Sequence, residues 1–69
     1  MDISTKVKLC CAYLKISEAE LARRLEISPQ SLNKRLKTGK FTTTELERIA
    51  QALGASFRFE FVFDDGVKF

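Results

Sequence analysis

Apolar residues recur along the first fifty positions at helical spacing. Ile3, Val7, Cys10, Cys11 and Leu14 fall at i, i+4, i+7, i+8 and i+11, one stripe of an amphipathic helix. Ser17 then opens Ser17-Glu18-Ala19-Glu20, the pattern of a capping box, before a short second helix with Leu21, Ala22 and Leu25 inward. Ser28-Pro29 restarts the chain as an N-cap and a first-turn proline, so that helix cannot run past Ile27. A third helix carries Leu32 and Leu36 on its apolar side and stops at Gly39. Thr42 and Glu45 form another capping box, and Leu46, Ile49, Ala50 and Leu53 make the inward stripe of a fourth helix ended by Gly54. Beyond Gly54 the period drops to two. Phe57, Phe59, Phe61 and Phe63 alternate with Arg58, Glu60 and Val62, which predicts a strand with one aromatic face.

Asp64-Asp65-Gly66 reads as a turn and Val67-Lys68-Phe69 as a short return strand. A two-residue loop would pair Phe63 with Lys68 and mix the faces. A three-residue loop with Gly66 left-handed pairs Phe63 with Val67 and Phe61 with Phe69 and keeps the apolar face whole, so this loop is expected. The expectation is a mainly α, single domain over residues 1–69, with a helical core at 2–54 and a C-terminal β-hairpin at 56–69.

Composition narrows the chemistry. At 69 residues the chain is short for one domain, and such a chain buries only about 60% of its unfolded surface. Histidine is absent and the two cysteines are adjacent, which removes His-based triads and spaced-Cys zinc sites. No catalytic motif is found, so neither an enzyme, a metal site nor a cofactor is expected. Cys10 and Cys11 read as small hydrophobes in a reducing setting. No stretch has the roughly 20 apolar residues of a membrane span, and no signal-peptide layout is seen, so a cytoplasmic location is expected.

Net charge is +3, and its distribution matters more than its size. Between Ser28 and Thr44 there are four basic residues (Lys34, Arg35, Lys37, Lys40) and no acidic ones; from Ser56 to Phe69 the balance is −1. A basic middle third suits a polyanion. The two helices that meet at Glu26-Ile27 are too close in sequence to run on in line, which is helix-turn-helix geometry, with the second helix positioned for the DNA major groove. At 100° per residue, the side opposite Leu32 and Leu36 is centred on Lys34 and Gln30, with Lys37 close by and Ser31 and Asn33 flanking. All are polar and none is acidic. Gln suits adenine and Lys suits guanine in the major groove.

Residues 7–54 resemble the Cro and phage-repressor type (lambda-repressor-like, XRE) helix-turn-helix family. The resemblance rests on Ile16-Ser17-Glu18-Ala19-Glu20-Leu21-Ala22, Leu25-Glu26-Ile27-Ser28 and Ile49-Ala50-Gln51-Ala52-Leu53-Gly54. It implies a regulator that binds double-stranded DNA, with base contacts at Pro29, Gln30, Ser31 and Lys34. Phosphate contacts are expected from Ser17, Glu18, Asn33, Arg35, Lys37, Thr38 and Lys40. Glu18 stands where the family often has Gln, and Glu26 where it usually has a turn glycine. The loop Lys37-Thr38-Gly39-Lys40 is one residue longer.

The hairpin lies outside the common family core, and four phenylalanines on one face need cover. They could cap the chain's own helices, or strands of two copies could pair across a two-fold axis. A homodimer is expected, with Phe57, Phe59, Phe61, Phe63 and Phe69 as its interface, reading a palindromic site. No effector domain is evident, so no small-molecule partner is expected. The competing function is a protein-interaction or antitoxin-like module on the same frame, with the aromatic tail as the partner surface.

Overall fold

The computed structural model describes residues 2–69 and contains four helices: α1 (Ile3–Leu14), α2 (Glu18–Arg24), α3 (Pro29–Thr38) and α4 (Thr43–Leu53). Each helix starts where a side-chain oxygen caps a free backbone N–H. Asp2 accepts from Thr5, Ser17 from Glu20, Ser28 from Ser31 and Thr42 from Glu45. The expected boxes differ in outcome. At Thr42 both bonds form, the Thr42 N–H donating to Glu45 at 3.2 Å. At Ser17 only one does: the Glu20 carboxylate instead accepts from Arg23 and from Arg24, each Nε at 3.0 Å. Two guanidinium groups one turn ahead outcompete one neutral backbone donor.

Gly39 and Gly54 end α3 and α4 in the left-handed conformation, at φ 68° and 70°. The turn between α2 and α3 needs the same conformation but has no glycine. Glu26 supplies it, at φ 60°. Around it the Ile27 N–H donates to the Ala22 carbonyl and the Glu26 N–H to that of Arg23, the two bonds of a Schellman ending. The sharp turn thus forms with a glutamate in the strained position.

The core is one cluster from all four helices: Val7, Cys11, Leu21, Ala22, Leu32, Leu36 and Ile49, with Ile16, Leu25 and Phe41 packed against it. Leu21 and Leu32 are the largest fully buried side chains, so the interior of the domain lies where α2 meets α3. Two residues on the expected α1 stripe depart from it. Cys10 is exposed, and Leu14 is 38% exposed, because only the Val7–Cys11 side of α1 meets the rest of the bundle. Ser4, one turn before Val7, is buried in their place; its hydroxyl donates to the Leu36 carbonyl at 2.6 Å and fastens α1 to the end of α3.

The C-terminal segment corrects the hairpin expectation. Among the described residues there are no strands, and residues 56–69 hold one isolated antiparallel bridge, Val62 to Lys68. Phe61 and Phe69 exchange two backbone bonds at 2.7 and 2.9 Å, and the Phe63 N–H reaches the Val67 carbonyl at 2.8 Å. Gly66 takes φ 90° in the turn. So short a pairing, with no helix laid across it, does not extend into a ladder. The phenylalanines do not cap the helices as a set. Phe57 is half-buried against α1 and α4, whereas Phe59, Phe61, Phe63 and Phe69 are 66%, 74%, 56% and 78% exposed. The molecule measures 43 × 23 × 20 Å.

Candidate nucleic-acid interface

α3 is held from behind and open in front. Leu32 and Leu36 anchor it in the core, and Pro29 with the Ser28 cap fixes its start. Every residue expected to meet DNA is exposed: Ser17, Glu18, Pro29, Gln30, Ser31, Asn33, Lys34, Arg35, Lys37, Thr38 and Lys40. They do not form a single file. On one flank of α3 a shallow hollow gathers Glu18 and Ala19 of α2 with Pro29, Gln30 and Asn33. On the other flank Ser31, Lys34, Arg35, Thr38 and Lys40 line a second hollow. Gln30 and Lys34, one in each hollow, border the ridge between them on the side away from the core.

Chemistry separates these residues further. Arg35 is bound to the Glu45 carboxylate of α4, so its charge is answered within the domain. No carboxylate lies within ion-pair distance of Lys34, Lys37 or Lys40 among the described residues, which leaves three positive charges on the outer side. The Thr38 hydroxyl donates to the Arg35 carbonyl at 3.1 Å and accepts from the Lys40 N–H at 3.4 Å, which shapes the loop after α3. The Ser31 hydroxyl accepts from Ser28 at 3.1 Å and keeps its own proton to donate. Glu18 places a carboxylate beside Gln30 and Asn33, an acidic group in an otherwise neutral hollow.

Three supports were not read from the sequence. The Ser4 bond to Leu36 was detectable, since Ser4, Val7 and Cys11 share the i, i+3, i+7 stripe, but a serine does not announce itself as core. Arg35 with Glu45, and Arg24 with the Ala52 carbonyl at 3.1 Å, cross between helices over 10 and 28 residues and leave no local signal.

Two helices at a tight turn, the second seated on the first by buried leucines and polar on its outer face, define a helix-turn-helix protein. The surrounding α1 and α4 complete a four-helix domain of the DNA-binding kind. Residues 7–58 match the family model of the Cro/C1-type HTH DNA-binding domain, and the chain belongs to that family. No curated protein and no solved structure matches it. Among the described residues no helix is long and apolar enough to cross a membrane.

Proposed function

We propose that the protein is a sequence-specific regulator of transcription that binds double-stranded DNA as a symmetric dimer, with α3 in the major groove of a palindromic operator. The observation that carries this reading is the outer face of α3. On a Cro/C1-type domain it presents Gln30, Ser31 and Lys34 in the open, with Lys37 and Lys40 unpaired beside them. Gln30 and Lys34 discriminate bases, each good pair contributing roughly 1–3 kcal/mol. Pro29 and Ser31 complete the base-reading turn. Lys37 and Lys40 neutralise phosphates and make affinity fall with salt. Ser17, Asn33 and Thr38 hydrogen-bond the backbone of the duplex from either flank. Arg35 reaches a phosphate only by leaving Glu45, and Glu18 must swing its carboxylate away from Gln30 and Asn33 to avoid repelling the strand. The role is one of binding, with no catalysis, cofactor or effector.

The dimer places two copies of α3 one helical turn apart, about 34 Å, as a palindrome requires. The exposed phenylalanines of the C-terminal segment supply its interface. That same surface also favours a second reading, an antitoxin-like module whose tail docks on another protein. Binding of a selected palindromic duplex by wild type and by the Gln30→Ala, Lys34→Ala double variant separates the two. The regulator requires that the variant lose its preference for that site over scrambled DNA. Retained preference would refute the assignment of α3, and absence of salt-sensitive DNA binding by wild type would favour the module.

A further inference from the structure

The C-terminal segment has one used edge and one free edge. Phe61 and Phe63 direct their backbone groups at Phe69 and Val67, and the Val62–Lys68 bridge between them is a pair without mutual hydrogen bonds. Backbone groups alternate sides along an extended chain, so the even-numbered residues Arg58, Glu60 and Val62 aim theirs at the opposite edge. Among the described residues no backbone partner is found for Phe57 through Glu60. An open edge flanked by exposed aromatics is a site for another strand.

The sequence of that edge is self-complementary in only one kind of register. Antiparallel pairing about a two-fold axis sets residue i against the partner's residue at a constant sum. An axis at Arg58 or at Glu60 sets like charges directly opposite. An axis at Phe61 sets Arg58 against Asp64, which the turn removes from the edge. An axis at Phe59 sets Arg58 against Glu60 twice, Phe57 against Phe61 twice, and Phe59 against itself. It also makes Arg58 and Glu60 the hydrogen-bonded pairs, as their free backbone groups demand. Opposite charges directly across antiparallel strands attract, and like charges there are destabilising. Lys68, whose Nζ lies 3.9 Å from Glu60, extends the same charged row on the inner side.

We infer that a second copy of the chain pairs with this edge, residues 57–61 of the two copies running antiparallel about an axis at Phe59. The inference rests on the dimeric reading above and fixes its register. It places one continuous aromatic face under two helical heads and the Arg58–Glu60 pairs on the opposite face.

Charge exchange tests it. Arg58→Glu alone and Glu60→Arg alone each create two like-charge pairs in their own homodimers, and each is expected to weaken dimerisation about tenfold or more by analytical ultracentrifugation. A mixture of the two variants restores both attractive pairs and recovers dimerisation as a heterodimer. These residues are exposed and outside the core, so the helical domain stays folded. Cross-linking gives the register directly, in a background of Cys10→Ser and Cys11→Ala. Phe59→Cys faces its own copy at about 4.5 Å between Cα atoms, inside the range for a disulfide, and oxidises to a covalent dimer. Phe61→Cys alone does not, but it cross-links when mixed with Phe57→Cys. A wild type that is dimeric yet gives no heterodimer preference, or cross-links through Phe61→Cys alone, overturns the register while the dimer stands. A wild type that remains monomeric at all concentrations overturns both.

Discussion

Ser4→Ala probes the attachment of α3 to α1. The Leu36 carbonyl lies in the last turn of α3, where helix carbonyls lack the usual donor four residues on; the Lys40 N–H that would serve goes to Thr38. The Ser4 hydroxyl takes that place at 2.6 Å in a buried setting. Removing it leaves a buried acceptor unsatisfied, which costs about 1–3 kcal/mol. Alanine is the better helix former at position 4 and returns up to about 0.5 kcal/mol. The net loss expected is therefore about 0.5–3 kcal/mol. For a domain this small, each 1 kcal/mol moves Tm by about 4–8 °C, so Ser4→Ala melts several degrees early. Thermal and urea unfolding followed by circular dichroism, at one fixed protein concentration, measures this. Lys6→Ala, exposed on the same helix and in no ion pair among the described residues, is the control and stays within about 0.5 kcal/mol of wild type. A Ser4→Ala protein as stable as the control would refute the reasoning, since the Leu36 carbonyl would then have another partner.

Leu21→Ala and Leu32→Ala each empty the centre of the core and cost about 2–5 kcal/mol. Against a total of roughly 3–10 kcal/mol for a chain of this length, at least one of them is expected to be largely unfolded by circular dichroism. Glu26→Gly relieves a left-handed residue and is expected to raise stability by about 0.5–1 kcal/mol in urea unfolding, whereas Glu26→Val lowers it. Hydrogen bonds from Arg23 and Arg24 hold the Glu20 carboxyl down at about 2 in the folded protein, below its ordinary value of 4.5. A depressed folded value means the contribution is complete above about pH 4.5 and fades as pH falls toward 2; Glu20→Gln therefore flattens the acid limb of a stability–pH curve. Lys37→Ala is expected to weaken binding of all DNA sequences alike and to reduce the salt slope by about 1, whereas Lys34→Ala relaxes preference at one base position.

Much of this molecule is legible in its sequence because its signals are local. Ser28-Pro29, Thr42 with Glu45, and the glycines at 39 and 54 each mark a helix end through chemistry within four residues, and the structure uses them so. The outer face of α3 follows from geometry once Leu32 and Leu36 are placed inside. What sequence reading missed depends on competition or distance. Glu20 has two arginines and a backbone N–H within reach, and spacing cannot rank them. The Ser4 and Arg35 bonds cross 32 and 10 residues. Glu26 shows that a left-handed turn does not need the expected glycine when two backbone bonds hold it. The alternation Phe57 to Phe63 describes a surface that a strand would have, but two extended segments joined by one bridge do not stabilise a strand within one chain.

Selection of bound duplexes from a random DNA pool tests the central claim most directly. A regulator that reads DNA through Gln30, Ser31 and Lys34 enriches one palindromic sequence, with half-site centres about 10–10.5 base pairs apart. A pool that emerges with no enriched sequence, whether bound indifferently or left unbound, would contradict it.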